Sequence, residues 1–196
     1  VVEVIGEEKE ITAEQSTYNA IVKLAPSIKQ VSMERVQVEF LKTILSDNPN
    51  YIMEYHKTGL LKENLQYMDE LLAGKYAKNV VAMLKYSKNN TIQRYSAVFN
   101  MGEPDKVKAE LKALKLDNYT IDTVTKLVKY SKDTIDENEP AVREAVHKYG
   151  KDMLPLMFDN EEARISTKEE IVGISLKGQR LHLDRIKQMY EDVITR

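Results

Sequence analysis

A chain of 196 residues with 42% hydrophobic and 31% charged side chains has material for one sizeable core or two smaller helical subdomains, and its mean hydropathy of −0.46 describes a water-soluble globular protein. The absence of cysteine excludes disulfides and thiolate metal sites, and no apolar run reaches the roughly 18 residues of a membrane span. A net charge of −2 gives no global attraction to phosphate, so nucleic-acid binding would need a local basic face.

Apolar residues recur at three- and four-residue spacing almost throughout, which predicts an all-α helical bundle of about ten helices. The first helix is expected from Thr12, where T-A-E-Q has capping-box form with Gln15 reaching back, and Pro26 ends or kinks it. A second follows Ser32, with Val31, Val36, Phe40, Ile44 and Leu45 on one face, and stops at SDNP, where Asn48 caps and Pro49 takes the first position of a third helix. That third helix runs through YIMEYHKT to Gly59, a residue suited to a left-handed C-terminal cap.

Further helices are expected at 62–73, 76–88, 91–100, 104–115, 118–131, 139–149 and 151–163. The last would begin at Ser166, where S-T-K-E repeats the capping-box form, with Ile171, Ile174, Leu181, Ile186, Met189 and Val193 as its apolar stripe. Gly173 and Gly178 would interrupt it, each costing roughly 1 kcal/mol relative to alanine. The stretch from Gly59 to Gly74 is the natural boundary between a subdomain over 1–61 and a body over 62–196. The chain begins at Val1 without methionine and is expected to be part of a longer, cytoplasmic protein.

Chemistry is hard to place on these residues. His56, His147 and His182 are the three histidines, and no two are spaced as metal ligands on one helix. There is no G-x-S-x-G elbow and no phosphate-binding glycine loop. The pairs Glu161–Glu162 and Asp133–Asp136 fall in the acidic stretches FDNEEAR and DTIDENEP, which read as solvated faces. No catalytic residue is assigned. The one basic concentration is Lys75, Lys78, Lys85, Lys88 and Arg94, interleaved with Tyr76, Tyr86 and Tyr95.

The segment VSMERVQVEFLKTILSDNPNYIMEYHKTGLL, Val31 to Leu61, resembles the neck of the bacterial tRNA nucleotidyltransferase and poly(A) polymerase family. The shared features are the Ser-x-Glu-Arg helix start, the Leu-x-x-Ile-Leu run, the Ser-x-Asn-Pro turn and the Gly-Leu-Leu. Upstream, EITAEQSTYNAIVKLAPSIKQ is similar to the element that precedes this neck, a short Glu-Ile segment followed by a helix with Tyr-x-Ala-Ile. More loosely, LKLDNYTIDTVTKLVKYS, AVREAVHKYGKDMLPLMF and LHLDRIKQMYEDVI resemble the helices of the family's HD-like body.

The resemblance implies a neck and a degenerate HD-like body. In relatives with an intact metal site a His-Asp doublet stands shortly before a Gly-x-Pro turn; in SAVFNMGEP the doublet is Phe99-Asn100, and Ser131 stands where a histidine ligand is expected. Phenylalanine cannot bind a cation and neutral Asn100 is a poor ligand, so the implied scaffold has lost its metal. It also implies a parent CCA-adding enzyme whose head and tail domains lie outside these residues, with Mg and CTP or ATP held by the head and the acceptor arm of tRNA as partner. Glu34 and Arg35 would then support the nucleotide pocket, and Lys75, Lys78, Lys85, Lys88 and Arg94 would contact RNA phosphates. A free-standing helical interaction module of the same fold, binding neither RNA nor nucleotide, stays open beside this reading. Oligomeric state, and the choice among CCA, CC, A or poly(A) addition, are not set by these residues.

Overall fold

The computed structural model describes residues 33–196. The helix expected from Thr12 with Gln15 and Pro26, the Ser32 start and Val31 lie outside the described residues. Within them the chain is all-helical and contains no strand. The helices are α1 Met33–Leu45, α2 Tyr51–Lys57, α3 Leu60–Asn64, α4 Gln66–Leu72, α5 Ala77–Tyr86, α6 Thr91–Val98, α7 Pro104–Ala113, α8 Asn118–Tyr130, α9 Glu139–Tyr149, α10 Met153–Val172 and α11 Lys177–Thr195. A 3-10 turn, Gly74–Tyr76, joins α4 to α5.

Starts are written locally. Asn90, Asp117 and Asn138 each sit in extended backbone and accept the third helical N–H through their side chains, from Gln93, Thr120 and Ala141. Pro104 and Pro140 occupy first-turn positions where no intrahelical N–H is needed. The SDNP turn works a little differently from expectation. Asn48 accepts from the Asn50 N–H at 3.1 Å, yet regular helix begins only at Tyr51, two residues after Pro49. Gly59 ends α2 in left-handed conformation at φ 78°, as its position suggested.

The first core gathers α1 to α8 around α6. From α1, Val36, Phe40 and Ile44 point inward at four-residue spacing, and Phe40 packs edge-on to Tyr55 at 5.6 Å and beside Tyr95 at 6.2 Å. The apolar core is thus continuous across residues 61 and 62: Phe40 and Tyr55 on one side share it with Tyr95, Phe99 and Val124 on the other. A second core is built by Val142, Ala145, Leu154, Phe158, Ile165, Leu183, Ile186 and Tyr190 from α9, α10 and α11, with Phe158 edge-on to Tyr190 at 5.4 Å.

Helix α10 serves both cores, Ala163 facing the first and Leu154, Phe158 and Ile165 the second. It therefore runs unbroken through Ser166, and the S-T-K-E sequence starts no helix: the Ser166 hydroxyl accepts from Arg180 at 2.8 Å instead. The break comes at Gly173, left-handed at φ 76°. Glu169 closes the turn by accepting the Leu176 N–H at 2.8 Å and pairing with Arg180, which holds its carboxyl below the usual range. Because of that break the expected stripe divides: Ile186, Met189 and Val193 pack on the second core, whereas Ile171, Ile174 and Leu181 are exposed.

Candidate nucleic-acid interface

Glu34 and Arg35 lie exposed on the first turn of α1. Glu34 meets the Lys115 ammonium at 3.1 Å, which ties the start of α1 to the end of α7. An acidic side chain there also faces the positive end of the helix dipole.

The five cations of the basic segment fall into three kinds. Lys85 donates to Glu170 at 2.7 Å, a bond that raises its pKa, and the Tyr86 hydroxyl donates to the same carboxylate at 3.0 Å. Lys88 pairs with Asp159 at 3.2 Å. Both lysines are thereby partly neutralised by α10. Arg94 is not on the surface at all: it is 7% exposed, and its Nη1 donates to the Ile44 carbonyl at 3.2 Å across to α1. Burial lowers its pKa, with Asp47 opposing. The Arg94 guanidinium, expected from the sequence to contact RNA phosphate, is thus turned toward a buried carbonyl rather than grouped with the exposed lysines. Tyr95, read as interleaved with the basic face, is likewise fully buried against Phe40. Lys75 and Lys78 remain exposed and form no ion pair among the described residues, Lys75 lying 5.1 Å from the Tyr76 ring centroid.

At the positions compared with a metal site, the side chains are engaged structurally. Phe99 is fully buried in the first core, and the Asn100 amide donates to the Ala97 carbonyl at 2.6 Å. The Ser131 hydroxyl donates to the Val128 carbonyl at 2.7 Å at the end of α8. An apolar ring, an amide used as donor and a hydroxyl used as donor do not fit a divalent cation. His56 pairs with Asp69 at 2.9 Å, His182 sits between Glu137 at 3.3 Å and the Ile135 carbonyl at 3.0 Å, and His147 is exposed on α9; each belongs to a different part of the fold.

The Gly102 turn has its own physical reason. Its N–H donates to the Phe99 carbonyl at 2.8 Å, while the Glu103 N–H donates to the Tyr67 hydroxyl at 2.7 Å, drawing α4 against the turn. A Cβ on Gly102 would lie 2.8 Å from Val107 Cγ2, 3.0 Å from the Tyr67 hydroxyl and 3.1 Å from the Phe99 carbonyl oxygen. Gly102→Ala is therefore expected to destabilise the chain by roughly 1–3 kcal/mol, read by urea denaturation. An unchanged midpoint would mean the turn has slack that the packing does not suggest.

A cavity of about 350 Å³ opens between the end of α8, the loop over 131–138, α10 and the start of α11. Ser131 and Asn160 line it, and none of its residues belongs to the lysine cluster. Sequence reading missed it because its walls come from three separated segments, and Asn160 lies inside FDNEEAR, which reads as a solvated run. Among the described residues no helix is long and apolar enough to cross a membrane.

Residues 11–72, just under a third of the chain, match the family model described as the probable RNA- and SrmB-binding site of polymerase A. The described part of that match is α1 to α4, the layer packed on the first core through Phe40, Tyr55 and Met68. The match supports a link to the poly(A) polymerase family at a coarse level. No curated protein and no solved structure matches the chain.

Proposed function

We propose that this chain is the RNA-binding neck and body of a tRNA nucleotidyltransferase, a scaffold that positions RNA and braces a nucleotide pocket without transforming either. The observation that carries the reading is the match of residues 11–72 to an RNA-binding site of polymerase A. Two further features support it. Lys75 and Lys78 follow that segment directly and form no ion pair among the described residues, which leaves them suited to sequence-independent phosphate contacts. Glu34 and Arg35 open α1, where they would support the pocket from the neck side. Mg and CTP or ATP belong, in this reading, to a head domain, and the tRNA acceptor arm is the RNA.

Binding of tRNA should weaken linearly as salt rises on a logarithmic scale, because each neutralised phosphate releases counterion. Replacing Lys75 and Lys78 together by alanine should flatten that slope by about 2. The same change at Lys85 and Lys88 should do less, since Glu170 and Asp159 already offset them. Salt-insensitive binding, or a slope untouched by Lys75→Ala with Lys78→Ala, overturns the proposal.

The interaction-module alternative has one observation in its favour, the exposed group Ile171, Val172, Ile174 and Leu181 around the Gly173 turn. Absence of tRNA binding even at low salt, together with self-association or protein binding lost on Ile174→Ser, would select it.

A further inference from the structure

The cavity between α8, α10 and α11 is too large to be a packing defect. Its volume of about 350 Å³ exceeds many times the roughly 30 Å³ share of one water and enters the range of small-molecule sites. Its inner wall is apolar, formed by Leu127, Phe158, Leu183 and Ile186. One polar side chain interrupts that wall. Asn160 is 5% exposed, and its Oδ1 is buried without a hydrogen-bond donor among the described residues. A buried amide oxygen left unmet costs free energy in the empty protein, so a side-chain rotation that brings it to a ligand's donor recovers it. A half-turn of χ2 exchanges the two ends of the amide, so the same side chain can present donor or acceptor to the cavity.

The charges around the cavity are already matched. Arg164 pairs with Glu161, Asp133 accepts from the Tyr149 hydroxyl at 2.5 Å and lies 3.6 Å from Lys148, and His182 is held by Glu137. No net cation is left for a phosphate or carboxylate to seek, and a purely aliphatic ligand would strand the Asn160 amide. What fits is a neutral, largely apolar body with hydrogen-bonding groups on its edge. At the rim, Gln179 adds a second amide, Thr134 a hydroxyl and Tyr130 an aromatic ring.

We propose that this cavity binds a nucleobase, with Asn160 reading its edge and the apolar wall holding its faces. Amides recognise base edges through paired donor and acceptor, and unstacked bases insert between apolar and aromatic side chains. The choice of a base over other neutral heterocycles rests on the RNA-binding reading above. The base is supplied either by an unpaired residue of RNA or by a free nucleoside.

The test is equilibrium dialysis of the full chain against adenosine, cytidine, guanosine and uridine in turn. At least one is expected to bind with millimolar or tighter affinity, weakened tenfold or more by Asn160→Leu, which keeps bulk and removes the amide. Gly178→Phe is the second variant: Gly178 lines the cavity on ordinary helical backbone, and a Cβ there meets nothing within 4 Å, so a ring can fill the entrance without disturbing the core. It should abolish binding while leaving the thermal midpoint unchanged or raised. Competition by an oligonucleotide carrying the bound base identifies RNA as the source; no competition identifies the free nucleoside. No binding of any nucleoside, or binding indifferent to Gly178→Phe, overturns the proposal. The two readings fail separately, because Lys75→Ala with Lys78→Ala should leave nucleoside binding intact, and Gly178→Phe should leave the salt slope of tRNA binding intact.

Discussion

Phe40→Ala is expected to lower the free energy of unfolding by roughly 3–5 kcal/mol, the range for removing a buried aromatic ring. Phe40 is fully buried on α1, and its ring is the contact through which that helix reaches Tyr55 on α2 and Tyr95 on α6. Alanine would forfeit both ring contacts and leave a hole bounded by side chains that are themselves fixed by other neighbours, so collapse is limited. The result also bears on organisation. If 33–61 formed a separable unit, the variant would show an early transition of its own and leave the rest unmoved. With one continuous core, tyrosine fluorescence and far-ultraviolet circular dichroism should report a single transition for this core, displaced as a whole. A loss below about 1 kcal/mol, or two resolved steps in that core, would contradict the packing described.

Where the sequence was legible, the reason was local. The bounds of α9 are found at both ends because Asn138 and Pro140 encode its start and Gly150 its end, a residue-by-residue signal that tertiary contacts need not supply. Helix α6 shows the opposite case. Six successive residues, Gln93 to Val98, are buried, so it has no polar face, and a periodicity argument cannot tell its inside from its outside. Reading Arg94 as one of a basic face followed from its chemistry, but the Ile44 carbonyl, fifty residues away, decides where it lies. The same holds for S-T-K-E. Its capping form is real, but a helix already stabilised by two cores passes through it, and a weak local preference loses to that burial. Of the candidate site, the exposed pair Lys75 and Lys78 was visible as charge, whereas the cavity around Asn160 exists only once α8, α10 and α11 are brought together.

A residue that no pattern marks out, Glu110, should prove as important to the layer of α1 to α4 as its aromatic contacts. Helix α4 begins after Leu65, which has no side chain able to cap it, and the Met68 N–H in its first turn is met instead by the Glu110 carboxylate of α7 at 2.5 Å. A charged acceptor on a helix N-terminus satisfies a donor that has no intrahelical partner. Glu110→Ala would strand that N–H in a buried place and is expected to lower stability by roughly 2–3 kcal/mol. Burial raises the Glu110 pKa, the Met68 and Tyr67 N–H groups oppose the rise, and Glu70 adds to it. A raised folded value means the folded chain holds this proton more tightly than the unfolded one. The linked contribution is therefore fully present below the unfolded value, about pH 4.3, and is lost as pH climbs through the raised folded value. Glu110→Gln keeps an oxygen for the Met68 N–H and cannot titrate, so its stability relative to the wild type should improve as pH rises from about 4 to 7. Urea titrations at several pH values read that difference directly. If the wild type gained on Glu110→Gln over the same interval, the carboxylate would be held ionised by its partners and the balance assigned here to burial would be reversed.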